Sequence, residues 1–153
     1  MKAVLHAALA MLALVGPASA GTVDGLDVDI NRIFSAIGGL PTVFAAGCAP
    51  FRPSSCAYTF DVDGATTKFF IMDANGGLQM AARVDPSSNA LGVLFIASAA
   101  IGDFKDALRG REVVLTLRHF FDEQHLAEVV GDGGTYRLEW RGAEVWFVAL
   151  VRK

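Results

Sequence analysis

His119, Asp122, Glu123 and His125 fall within the single stretch His119-Phe120-Phe121-Asp122-Glu123-Gln124-His125, and two imidazoles beside two carboxylates are the donor types of a zinc site or a metal-dependent hydrolase. The spacing works against that chemistry. On a helix His119 shares a face with Asp122 or Glu123, but six residues carry His125 about 240° around the axis, unlike the i, i+4 pair of a zinc-protease helix. Only a break near Asp122 would bring the four together. They are candidate metal ligands, and a solvated polar helix face is the ordinary alternative.

Other chemistries have weaker candidates. Asp61, Asp63 and Asp73 fall on adjacent strands or their turns, where a carboxylate pair could form, although turn aspartates ordinarily serve the turn itself. Asp61-Val62-Asp63-Gly64 and Asp73-Ala74-Asn75-Gly76 echo the opening of a calcium loop but lack the remaining ligands and the closing Glu. No Gly-x-Ser-x-Gly elbow occurs. Gly131-Asp132-Gly133-Gly134 precedes a strand, so it reads as a loop leading into a hairpin, whereas a phosphate cradle needs a following helix. The sequence names no catalytic residue and implies no cofactor.

Cys48 and Cys56 are the chain's two cysteines and bracket a Pro- and Ser-containing segment, a spacing unlike the redox-active Cys-x-x-Cys. Their chemistry depends on compartment, and the N-terminus speaks to that. Lys2, the apolar run Ala3 to Val15, the breaker Gly16-Pro17 and the small-x-small Ala18-Ser19-Ala20 make a secretory signal peptide over residues 1–20, with the mature chain starting at Gly21. The run is too short for a bilayer span. Export places the two cysteines in an oxidising compartment, periplasmic or extracellular, where a structural disulfide is expected. Phe44-Ala45-Ala46-Gly47-Cys48 looks like the end of a lipoprotein processing box, but the acidic residues Asp24, Asp27 and Asp29 separate it from the leader.

Removing the leader takes away one Lys and no acid, leaving 12 basic against 16 acidic residues and a net charge of −4. Nucleic-acid binding needs clustered Lys and Arg, so that class is excluded. With 53% hydrophobic and 19% charged residues, the chain has the means to fold, and residues 21–153 are sized for one domain.

Those residues must be positioned by helices and strands of recognisable period. Leu26, Ile30, Ile33, Phe34 and Ile37 predict an amphipathic helix ended by Gly38-Gly39 and Pro41. Alternation from Cys56 to Val84, punctuated at Asp63-Gly64 and Asn75-Gly76, predicts a three-stranded meander. Its middle run Phe69-Phe70-Ile71-Met72 is either covered on both faces or awaits a partner on one. Ala90 to Leu108 reads as one long buried helix ended by Gly110. Arg111 to Val130 has helical spacing with a phase slip at Asp122 to Gln124, although Glu112 to Leu117 alone could be a strand. Thr135 to Trp140 and Glu144 to Val151 make a C-terminal hairpin whose turn is flanked by Trp140 and Trp146, candidate contacts for a partner if solvent-facing.

The fold class expected is α+β, about five antiparallel strands with two or three helices on one face. This layout resembles the small helix-on-sheet architecture of secretion-chaperone-like domains, a likeness that implies a fold and no function. The expected role is that of an exported binding domain without catalytic activity, engaging another exported protein through an exposed sheet face or a groove between helix and sheet. A small metal-dependent hydrolase using His119 to His125, and a carrier with an apolar cavity, are the alternatives.

Overall fold

The computed structural model describes residues 23–49 and 52–152. The leader, its cleavage position before Gly21, and residues Pro50 and Phe51 lie outside them. The described residues form α1 (Leu26–Ile37), β1 (Phe44–Ala49), β2 (Arg52–Val62), β3 (Ala65–Ala74), β4 (Gly77–Arg83), α2 (Ala90–Ala100), α3 (Phe104–Leu108), α4 (Gly110–Gln124), β5 (Leu126–Val130), β6 (Gly134–Arg141) and β7 (Glu144–Arg152). One antiparallel sheet runs β1-β2-β3-β4-β7-β6-β5, so two meanders meet where β4 pairs with β7. The fold is α+β.

The strands alternate as a sheet covered on one face must. Tyr58, Phe69, Ile71, Met80, Phe147 and Leu138 point under the helices and are buried, and Phe95 of α2 meets Tyr136 edge-on at 4.6 Å. Asp63-Gly64 turns β2 into β3 with both φ angles positive, the geometry of a type I′ turn. Ile30 and Phe34 bury the α1 stripe, and the Gly38 N–H closes the helix on the Phe34 carbonyl at 2.8 Å. Six residues past α1, Val43 is gripped at both backbone groups by Asn31: its N–H donates to Oδ1 and its carbonyl accepts from Nδ2, both at 2.8 Å.

Seven strands stand where five were expected, and each difference has a physical cause. β1 lacks β-branched residues and alternation, so the segment is a strand through its partners: it pairs with β2, and the disulfide Cys48–Cys56 ties directly opposed residues of the two strands. The disulfide thus joins two neighbouring strands. The helix beginning at Gly110 stops at Gln124, because His125 takes a left-handed φ of 57° and its N–H caps the Phe121 carbonyl at 2.8 Å. Leu126–Val130 then pairs with β6 as a strand. The expected long helix from Ala90 to Leu108 is two helices. At Gly102 the chain passes so close to Val151 of β7 that a Cβ would lie 2.3 Å from its Cγ1, and Asp103 starts α3 afresh by accepting the Lys105 N–H at 2.9 Å. Gly110 opens α4 and does not terminate the preceding helix.

One buried carboxylate fixes this helical arc to the sheet. Asp106 of α3 is 2% exposed and accepts the Asp132 N–H at 3.0 Å, the Gly133 N–H at 2.8 Å and the Tyr136 hydroxyl at 2.8 Å. The glycine run is required by this approach: a Cβ on Gly131 would lie 2.5 Å from Asp106 Oδ2, and one on Gly133 would lie 2.5 Å from the Asp103 nitrogen. The loop does cradle an anion, and the anion is the chain's own. Burial raises the Asp106 pKa, but the Gly133 N–H, the Tyr136 hydroxyl and the Asp132 N–H, with Arg109 nearby, outweigh it and hold the carboxyl below its ordinary 3.8.

Two outcomes follow for stability. Asp106→Asn presents an amide N–H₂ to groups that are themselves donors, and is expected to lower the unfolding free energy by about 3 kcal/mol at neutral pH in chemical denaturation. Because the folded pKa lies below the unfolded one, the wild-type contribution is complete above pH 3.8 and is lost as pH falls through the folded value. The variant should therefore show a flatter acid limb, and an unchanged acid limb would contradict the assignment. Replacing Cys48 and Cys56 together by Ser should cost about 2.5 kcal/mol by the chain-entropy model, read as a lower denaturation midpoint.

Candidate functional site

The residues singled out by type do not assemble into one centre. His119 Nε2 lies 3.5 Å from Glu123 Oε1 on the exposed face of α4, while His125 caps the helix end and meets Phe121 edge-on at 6.4 Å. Among the described residues, the group of His, Cys, Asp and Glu whose ligand atoms lie within 4.8 Å of one another is Asp24, Cys48 and Cys56, and its sulfurs are joined in the disulfide. Asp63 sits at one end of the β2–β3 hairpin and Asp73 near the opposite end of β3, about 26 Å away at about 3.3 Å per residue. Asp61 accepts the Thr66 hydroxyl at 2.5 Å. Trp140 stacks on Phe121 of α4 at 5.9 Å, whereas Trp146 lies on the other face of the sheet under Arg141.

Two surfaces remain for a binding role, and they differ in how their apolar atoms are dressed. The sheet face opposite the helices carries half-buried Phe70 and Met72, which answers the Phe69-Phe70-Ile71-Met72 run: alternate residues face the helices and the uncovered side. Long charged side chains lie over this face. Lys68 Nζ sits 5.4 Å from the Phe70 ring centre and Arg141 5.4 Å from that of Trp146, while Arg137 bridges Glu128 at 2.9 Å and Glu139 at 3.3 Å. The same face also exposes Leu126, Val130 and Leu150, so its apolar atoms are covered only in part.

The helical side is different. α2 has no charged residue in its eleven, and most of it is buried against the sheet and the flanking helices. One strip is not. Asn89, Gly92, Val93 and Ile96 form the floor of an open cleft of about 570 Å³, walled on one side by Arg111, Val114, Leu115 and Arg118 of α4 and on the other by Gly39-Leu40-Pro41 and Val62-Asp63. Both stripes repeat at i, i+3, i+4, i+7, so each helix turns one face to the cleft. Leu115 stands half exposed at its lip.

Polar groups hold the cleft open at one end. Arg118 donates to the Pro86 carbonyl at 2.7 Å through Nε and to the Ser88 carbonyl at 2.9 Å through Nη2, pinning α4 to the residues that lead into α2. Asn89 donates to Asp63 at 2.9 Å. The Ser88 hydroxyl accepts the Ala90 N–H at 2.9 Å and starts the helix. The lining supplies one carboxylate, two guanidiniums and one amide, a set that can orient a bound group but contains no hydroxyl, thiol or imidazole to act as nucleophile or base.

Set against protein-family models, curated proteins and solved structures, the chain matches none of them.

Gly92 is the informative residue of the floor. A Cβ there would meet nothing within 4 Å, so no packing contact demands glycine inside this helix. Glycine in a helix interior is less favourable than alanine by about 0.8–1 kcal/mol. Gly92→Ala is accordingly expected to raise the unfolding free energy by roughly 0.5–1 kcal/mol, seen as a higher midpoint in thermal or chemical denaturation; a destabilised variant would mean that the floor is packed.

Proposed function

We propose that this protein is a binding module without catalytic activity, and that it docks a segment of another protein in the cleft over α2. The observation that carries this reading is the uncovered strip of a charge-free helix. A helix apolar on all sides belongs in a core, yet Gly92 and Ile96 are left half-buried beneath an open cleft, with the apolar Val114 and Leu115 beside them. The volume suits a few side chains, and its open form favours a segment of a partner over an enclosed small ligand. Three apolar side chains inserted there gain about 5–9 kcal/mol of transfer free energy, opposed by ordering and association terms of similar size. The expected complex is weak and reversible, with Kd on the order of 10–100 µM.

The signal-peptide reading of residues 1–20 and the Cys48–Cys56 disulfide support an exported setting, so the partner is sought among proteins of the cell envelope or the medium. Leu115 at the lip is the place to test the reading. With a benzoylphenylalanine photocrosslinker in place of Leu115, irradiation in the native envelope fraction should give an adduct with a protein segment. That adduct should vanish when Gly92→Leu fills the floor. Adducts indifferent to Gly92→Leu, or adducts with small molecules alone, would overturn the proposal.

A further inference from the structure

We infer that the occupant of the cleft is an amphipathic helix bearing an acidic side chain beside its apolar stripe, and that Arg111 selects for the acid. The inference rests on the docking reading above and adds the chemistry of the partner.

The shape argues for a helix. The stripes on α2 and α4 each span seven residue steps, about 10 Å of axis, which is two turns of a third helix laid against them. An extended peptide would bring unpaired backbone N–H and C=O groups against walls that are mostly aliphatic side chains. A helix has already satisfied its own and needs to offer only side chains at i, i+3 or i+4, and i+7.

Charge argues for an acid. Arg32, Arg83, Arg109, Arg137 and Arg141 each sit on a carboxylate, and Arg118 is held by two carbonyls. Arg111 is exposed on the cleft wall and has no hydrogen-bond or ion-pair partner among the described residues. The one carboxylate in the lining, Asp63, is engaged by Asn89. The cleft is therefore net positive in a chain whose formal charge is −3. A carboxylate one turn from the apolar stripe would meet Arg111, whereas a Lys there would meet like charge.

The test uses a fluorescein-labelled, alanine-rich designed helix of about 14 residues, with Leu at i, i+4 and i+7 and flanking Glu residues, and a twin in which each flanking Glu is Lys. Anisotropy titrations with the full chain should show saturable binding of the Glu helix, at least about 10-fold tighter than the Lys helix. Arg111→Glu should invert that order. Gly92→Leu should abolish binding of the Glu helix, while Gly92→Ala, which adds one methyl, keeps the fold and most of the affinity. Equal binding of both helices would overturn the selection by Arg111 and leave docking in place. Binding of neither, or binding that ignores Gly92→Leu, would overturn the docking reading as well. Displacement of the labelled Glu helix by dodecanoate at a concentration well below that at which the unlabelled Glu helix displaces it would assign the cleft to an acyl ligand and overturn the inference.

Discussion

The carboxylate of Asp106 is a charge withdrawn from water, and that withdrawal is tolerable only because three donors converge on it. Two of them are backbone groups of the loop between β5 and β6, and the third is the Tyr136 hydroxyl, which is pushed above its ordinary pKa by burial and by donating to this carboxylate. The short helix α3 has little else to commend it: five residues form barely more than a turn, and an isolated helix of that length has no stability of its own. Anchored at Asp106, it fixes where α2 ends and where α4 begins. Those two helices then converge at Gly110, where a Cβ would lie 3.2 Å from Ile96, and they bound the cleft from that point to the Arg118 clamp at the other end.

The sheet imposes the complementary constraint. Two meanders joined at β4 and β7 give a broad surface whose helical face is apolar over most of its area and whose other face is mixed. Backbones approach closely on both sides of the C-terminal end of β7: a Cβ on Gly77 of β4 would overlap the Val151 carbonyl, and one on Gly134 of β6 would lie 2.5 Å from the Leu150 carbonyl. With α1, α2 and α4 laid over the apolar face, α2 lies deepest and surrenders its polar side chains. The strip left over is the floor of the cleft, so the binding surface is a by-product of how a central helix is enclosed.

Local sequence reported what local physics decides. Asp63-Gly64 and Arg141-Gly142 place hairpin turns because few residues accept positive φ, and the spacing of Leu26, Ile30, Phe34 and Ile37 gives α1 because one stripe must be buried. Elements held by distant partners were not legible. β1 depends on β2, on the disulfide and on Asn31, none of which shows in Phe44–Ala49 itself. The end of α4 at His125 lacked the usual glycine, and Leu126, Val129 and Val130 fit a helical period by coincidence. Asp106 looked like one acid among many because its donors lie 26 to 30 residues away. The cleft was hidden for a related reason: Val114 and Leu115 have the same spacing whether they face a sheet or open water, and only the enclosure of α2 distinguishes the two.

The clip between β1 and β2 bears on how the protein survives in solution, apart from how tightly it folds. Phe44–Ala49 is an uncharged strand at the sheet edge, exposed over most of its length, with Phe44 58% exposed, and it covers the flank of the longer β2, which carries the buried Tyr58 and Phe60. Edges of this kind are templates for intermolecular pairing. While the disulfide and the Asn31 grip keep β1 seated, β2 offers no free flank and the edge stays short and irregular, with register shifts near Gly47 and Ala49. A reducing environment would release one end of β1 long before the core opened. Loss of the bond would then be felt first as chains sticking to one another through β2, a colloidal failure in a molecule still folded everywhere else.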